Sequence, residues 1–234
     1  KNKINSRFNA PLSIDKEHFL SQLKENKDAK GIVLTYPNYY GVAYDLEFFI
    51  KEAKKYNMRV LIDSAHGAHF GVIDELPKSA VKLGADMVVM SSHKTLPSLT
   101  QTAYLHISDS VDVSKVDFYV SSFLSTSPSY MLMASMDYGR YFLESFGQDY
   151  YSKLLKIADL YREKINEIEE LQIIGKEDID WDNKSIDLTR YVINIKKGYS
   201  GHKLFDYLKS NGITAEMSDS SNVILIFSPF NKEE

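Results

Sequence analysis

Apolar positions along the chain fall into short β-branched runs separated by stretches with helical spacing. Gly31 to Thr35 is short, apolar and β-branched and stops at Tyr36-Pro37-Asn38, where proline and asparagine favour a turn, so it predicts a buried strand. From Asp45 the apolar residues Leu46, Phe49, Ile50 and Ala53 recur at i, i+3, i+4 and i+7, one face of a helix, with Asn57 as its expected stop. Val60-Leu61-Ile62 reads as a second strand, Lys78 to Leu83 as a short helix ended by Gly84, Met87 to Met90 as a third strand, and Ala103 to Ile107 as another. Strands apolar on both faces that alternate with helices imply an α/β fold: a mostly parallel sheet covered by helices, with right-handed crossovers.

Helical patterns follow over Tyr130 to Glu144 and Gln148 to Glu169, and the polar stretch Gly175 to Lys184 marks a boundary. Beyond it the character changes to a compact strand, helix, strand unit: Tyr191 to Ile195, His202 to Ser210 closed by Asn211-Gly212, and Asn222 to Phe227. The expected organisation is part of a large domain over 1–145, a helical connection over 146–180, and a small α+β subdomain over 181–234. There is no internal repeat and no low-complexity tract.

Composition narrows the chemistry. The 234 residues, 44% of them apolar, suffice for a real core. A net charge of -4 from 28 basic and 32 acidic residues gives no electrostatic footprint for nucleic acid or an anionic membrane, so a small-molecule substrate is expected. The absence of cysteine excludes disulfides and thiolate metal sites and fits a cytoplasmic location. No run approaches the roughly 20 apolar residues of a membrane span, and Lys1 to Asn9 lack the apolar centre of a secretory signal.

In open parallel sheets ligands sit outside the carboxyl ends of the strands. Three such ends are informative: Thr35 to Gly41, Asp63-Ser64-Ala65-His66-Gly67-Ala68-His69, and Ser91-Ser92-His93-Lys94-Thr95. An aspartate and a lysine at adjacent strand ends suit pyridoxal phosphate, whose aldehyde condenses with a lysine amine and whose ring nitrogen stays protonated beside a carboxylate. Hydroxyls and an imidazole near the lysine suit its phosphate. Each residue also has a plainer role open to it: Lys94 as a solvated charge, Asp63 as the cap of the next turn, His93 as a structural histidine. Asp63, His66 and His69 have metal-ligand chemistry, but no matching cluster lies elsewhere, and no metal is expected. The run ending at Lys94-Thr95 lacks the glycines of a phosphate loop.

The sequence from about Gly31 to Phe227 resembles the ornithine/lysine/arginine decarboxylases among the fold-type I pyridoxal-phosphate enzymes. The blocks that carry the resemblance are Thr35 to Gly41, Leu61 to Phe70, Ser91 to Gln101, Ser125 to Tyr130, and Glu216 to Asp219 followed by Asn222-Val223. The resemblance implies that Lys94 holds the cofactor covalently, Asp63 pairs with its ring nitrogen, Ala65 and His66 lie under the ring, and Ser91 and His93 contact the phosphate. Lys94, Asp63 and His66 are then the catalytic residues. It also implies a homodimer or higher homo-oligomer, with the Ser125-Thr126-Ser127 loop reaching the partner's cofactor. Ser64 departs from the glutamate or similar residue expected after the aspartate.

The expected activity is decarboxylation of arginine, lysine or ornithine to the amine, a polyamine precursor. The family's phosphate-cradling turn, ring-stacking residue and carboxy-terminal extension have no counterpart here, so a partial or shortened chain is expected, one that binds pyridoxal phosphate poorly by itself. Two alternatives stay open: an aminotransferase-like enzyme that uses the same lysine and aspartate, for which Arg190 is the only arginine near the place of a substrate-carboxylate ligand, and a non-catalytic scaffold.

Overall fold

The computed structural model describes residues 2–179, 185–196 and 198–231. An antiparallel hairpin, β1 (Asn2–Asn5) and β2 (Ala10–Ile14), leads into α1 (Lys16–Glu25), whose first turn is capped by the Asp15 carboxylate accepting from the His18 N–H at 2.9 Å. Next come β3 (Gly31–Thr35), α2 (Leu46–Lys54), β4 (Arg59–Asp63), β5 (Met87–Ser91), the single turn α3 (Ser92–Thr95) and β6 (Ala103–Ile107). The four strands form one sheet in the order β3-β4-β5-β6; the first three are parallel and β6 runs antiparallel at the edge. The expected mostly parallel sheet is present.

Helix α2 forms because Asp45 caps it at the Phe48 N–H and because Leu46, Phe49, Ile50 and Ala53 share one buried face. The helix ends at Lys54, and Asn57 takes a left-handed conformation with φ 57°, which an asparagine tolerates better than most residues. Its buried face meets Val60, Ile62, Val88 and Met90 in one core cluster.

Three expectations are corrected. No helix forms over Lys78 to Leu83: the amides of Lys82, Leu83 and Gly84 bond three residues back, to Ser79, Ala80 and Val81, as successive turns. The segment between Pro77 and Gly84, whose φ is 89°, is too short to repay helix nucleation. The sheet is not covered on both faces among the described residues, because Val33, Val89 and Leu105 on its second face are 71%, 40% and 43% exposed. The two helical patterns beyond Tyr130 are one helix, α5 (Tyr130–Asn166), preceded by α4 (Val113–Phe123). Gly147 does not end a helix; it lets α5 approach the loop after β4, where an added Cβ would lie 2.6 Å from Val72 Cγ2.

The expected 145/146 boundary therefore falls inside α5, and the 180/181 boundary lies outside the described residues. A second, antiparallel sheet has the order β7-β8-β10-β9, from β7 (Leu171–Ile173), β8 (Arg190–Ile195), β9 (Met217–Ser218) and β10 (Asn222–Ile226), with α6 (Gly201–Ser210) between β8 and β9 in the chain. Phe8, Ala10 and Leu12 of the hairpin region pack with Val42, Ile174, Val192 and Ile224, tying the amino-terminal hairpin to this second sheet.

Gly201 starts α6 against the turn between β9 and β10. A Cβ there would lie 2.3 Å from the Asp219 carbonyl oxygen, 2.6 Å from that of Asn222 and 2.8 Å from the Asn222 nitrogen, all backbone atoms that cannot rotate away. Gly201→Ala is therefore expected to destabilise by about 1–3 kcal/mol despite the better helix propensity of alanine, read as a lower denaturation midpoint at unchanged m.

Candidate active site

The parallel ladder aligns Thr35 with Asp63 and Asp63 with Val89, which brings the carboxyl ends of β3, β4 and β5 together. Asp63 and Ser91 share the less covered face, since they lie in register with Val89 and two residues beyond it. Lys94 sits in the α3 turn that begins as β5 ends, and its side chain is exposed. The Lys94 turn is held from beneath: the Tyr151 hydroxyl of α5 donates to the Thr95 carbonyl at 3.0 Å.

Asp63 Oδ1 accepts from the Ala65 N–H at 3.0 Å, so the plainer turn-capping role is realised. No described residue bonds Asp63 Oδ2, the Lys94 amine or the Ser91 hydroxyl. His93 Nδ1 donates to the Thr102 carbonyl at 2.9 Å, and its Nε2 has no described partner. His66 Nδ1 lies 3.1 Å from Arg190 Nη2, and its ring meets the Tyr39 ring edge-on with centroids 5.5 Å apart. Burial, followed by the positive charges of Arg190 and Lys94, holds the His66 pKa down at about 4, against the pull of Glu216 and Asp187. Lys94 and His66 thus lie within electrostatic reach of one another.

Arg190 opens β8 and is 1% exposed, with Nη1 donating to the Tyr39 carbonyl and Nε 4.0 Å from Asp187 Oδ2. Asp187 also lies 3.2 Å from His69 Nε2 and accepts from the Thr189 hydroxyl at 2.6 Å and the Thr189 N–H at 3.0 Å. Burial pushes the Asp187 carboxyl up, but His69, Arg190 and Thr189 outweigh it and hold the pKa at about 2. At the crevice rim the Tyr39 hydroxyl donates to Glu216 Oε1 at 2.5 Å and the Tyr40 hydroxyl to Asp219 Oδ2 at 2.6 Å, and these bonds help raise both phenols.

Asp63, Ala65, His66, Ser91, His93 and Lys94 therefore gather at the ends of two neighbouring strands. Asp63 Oδ1, His66 Nδ1 and His69 Nε2 are bonded to the Ala65 N–H, Arg190 and Asp187 respectively, and among the described residues no group of three or more His, Cys, Asp or Glu is placed to hold a metal ion. Ser125-Thr126-Ser127 lies in the exposed link between α4 and α5, where Ser125 Oγ accepts from the Ser127 N–H at 3.1 Å. Sequence reasoning missed Asp187 and Thr189 because they reach the site across 118 and 120 residues and carry no local pattern.

The low His66 pKa has a stability consequence. Between the ordinary value of 6.5 and about 4 the unfolded chain binds a proton that the folded chain refuses, so stability falls as pH drops through that window. Asp187 acts lower: its contribution is present above the ordinary carboxylate value of 3.8 and is lost as pH falls towards 2. His66→Gln is expected to shrink the loss of thermal stability between pH 7 and 4.5, read as the difference in Tm at the two values.

Parallel strands with an aspartate and a lysine at their carboxyl ends, the lysine unpaired among the described residues, backed by an antiparallel sheet, define the class: the fold is that of the fold-type I pyridoxal-phosphate enzymes. The solved constitutive lysine decarboxylase of E. coli shares it with a TM-score of 0.79 over 100% of this chain and 40% of that one, at 16% identity. The family model "Orn/Lys/Arg decarboxylase, major domain" matches residues 5–189, and the chain belongs to that family. The arginine decarboxylase of Bacillus subtilis (strain 168) is 35% identical over 231 residues, 97% of this chain and 47% of the relative. That of Bacillus anthracis is 38% identical over 208 residues, 87% of this chain and 42% of the relative. The chain thus spans about half the length of the curated relatives it matches. Among the described residues no helix is long and apolar enough to cross a membrane.

The family's cofactor is pyridoxal phosphate, and the chemistry of the donor set fits it. An amine, a carboxylate oxygen and a hydroxyl, none with a described partner, stand at adjacent strand ends, matching an aldehyde, a ring nitrogen and a phosphate.

Proposed function

We propose that the protein decarboxylates a basic amino acid, arginine, lysine or ornithine, with pyridoxal phosphate, releasing the amine and carbon dioxide. The observation that carries this reading is the pair of Lys94 Nζ and Asp63 Oδ2, unpartnered among the described residues, at the carboxyl ends of neighbouring strands in a chain of this family. Lys94 Nζ would hold the cofactor through its aldehyde. Asp63 Oδ2 keeps a proton on the ring nitrogen, while its Oδ1 stays bound to the Ala65 N–H and fixes the carboxylate plane. Ala65 and His66 would line the ring. Ser91 Oγ would donate to the phosphate, and His93, whose Nδ1 is spent on the Thr102 carbonyl, would meet it through Nε2. When bound, the cofactor supplies an electron sink for the pair left on the α-carbon as the carboxylate departs.

Arg190 supports decarboxylation over transamination. An arginine that captures the substrate carboxylate needs an open guanidinium face, whereas this one is 1% exposed and engaged with Tyr39 and His66. The reading includes a homodimer, for which the exposed Phe118, Tyr119 and Phe123 of α4 offer apolar surface to bury. Supplying the protein with pyridoxal phosphate and carboxyl-labelled arginine, lysine or ornithine tests the reaction. Labelled carbon dioxide from at least one of them is expected; keto-acid formation without carbon dioxide would overturn the reading in favour of an aminotransferase.

A further inference from the structure

We infer that Arg190 is a positioning residue that fixes His66 as the neutral imidazole with its proton on Nε2, so that His66 acts at the cofactor site as a hydrogen-bond donor and not as a base. The tautomer rests on geometry alone; only the use made of that donor rests on the proposed decarboxylase reading.

A guanidinium has five N–H groups and no lone pair, so at 3.1 Å from Arg190 Nη2 the Nδ1 atom of His66 must accept. An imidazole that accepts at Nδ1 and is neutral carries its proton on Nε2. Protonating Nδ1 would set an N–H against an N–H and a cation against a cation. Arg190 cannot withdraw to relieve this. It is buried, its Nη1 is bound to the Tyr39 carbonyl, and its Cδ lies 3.1 Å from where a Cβ on Gly41 would stand, so the φ 81° glycine leaves room for the arginine stem and little more. Asp187 balances the guanidinium charge and is itself anchored by His69 and Thr189.

Among the described residues, the charged groups that act most on His66 come from four places in the fold. Arg190 from β8 and Lys94 from α3 oppose its protonation, while Glu216, just ahead of β9, and Asp187, in the loop before β8, favour it. Tyr39, in the loop after β3, packs edge-on against the ring. The two cations and burial outweigh the two carboxylates, which agrees with the donor-to-acceptor geometry. The consequence is that His66 keeps its Nε2 proton across the physiological range, and the pH dependence of the site is set by other groups.

The test is a two-bond proton–nitrogen correlation spectrum of the intact protein labelled with nitrogen-15 at its 6 histidines, recorded without cofactor or substrate. The His66 signals are assigned by their loss in His66→Gln. Expected at pH 7 is an unprotonated Nδ1 and a protonated Nε2, unchanged down to pH 5. Arg190→Lys keeps a charge, but one ammonium cannot serve the Tyr39 carbonyl and His66 Nδ1 with the fork of a guanidinium. In that variant the His66 midpoint is expected to rise by about one unit or more towards the ordinary value near 6.5, with both tautomers present. A wild-type His66 that carries its proton on Nδ1 or titrates near 6.5 would overturn the inference, as would a folded Arg190→Lys protein with the wild-type tautomer and midpoint. If that variant does not fold, the wild-type spectrum decides by itself. Because no turnover is read, failure here leaves the decarboxylase reading standing, and a failed carbon dioxide assay leaves this inference standing.

Discussion

Lys94→Ala is expected to abolish the visible absorbance of lysine-bound pyridoxal phosphate and to lower turnover on the order of 10⁴-fold or more, the scale on which enzymes lose activity when a residue of covalent catalysis is removed. The reason is local. Lys94 is the lysine whose charge reaches His66, and it stands in the α3 turn directly after β5 with no described partner to hold it elsewhere. The fold should survive, because the α3 turn is anchored through backbone: the Thr95 carbonyl accepts from Tyr151, and the Leu96 N–H bonds the Ser92 carbonyl at 2.9 Å. Absorbance spectroscopy with added cofactor, alongside far-ultraviolet circular dichroism, separates loss of the linkage from loss of structure. An unchanged spectrum and rate would remove Lys94 from its role.

Asp63→Asn is the second large effect, expected to leave the lysine linkage in place while slowing turnover by about 10²–10⁴-fold, the range typical of a group that holds a proton for the reaction. The two oxygens of Asp63 divide the work: Oδ1 caps the Ala65 N–H, and Oδ2 has no partner among the described residues. The asparagine amide retains an oxygen for the cap, so the turn persists. What it loses is the negative charge that keeps a ring nitrogen protonated. Measuring kcat together with the linkage absorbance distinguishes this from a binding defect; near-normal turnover would show that Asp63 does not sustain the electron sink.

Much of this site was legible because its residues follow strands immediately in sequence. The runs at Gly31–Thr35 and Ala103–Ile107 coincide with β3 and β6, and once β4 and β5 were placed, the rule for ligand position in parallel sheets pointed at Asp63 and Lys94. What was not legible came from packing at long range. The His69–Asp187 contact and the Arg190 hold on His66 join the loop after β4 to β8, across a separation no periodicity reports. Gly147 shows the same limit, since the break between the two helical patterns expected over Tyr130 to Glu144 and Gln148 to Glu169 is in fact the contact point of α5 with Val72. The exposure of Val33, Val89 and Leu105 was hidden because an apolar strand looks alike whether or not a second layer covers it.

The central claim, that Lys94 is the residue that holds pyridoxal phosphate, is tested most directly by treating the intact protein with the cofactor, fixing the lysine linkage with borohydride, and mapping the modified lysine by peptide mass spectrometry. The expected result is one labelled peptide, spanning Ser91 to Gln101 and modified at Lys94. A stoichiometric label on a different lysine, with Lys94 unmodified, would contradict the account.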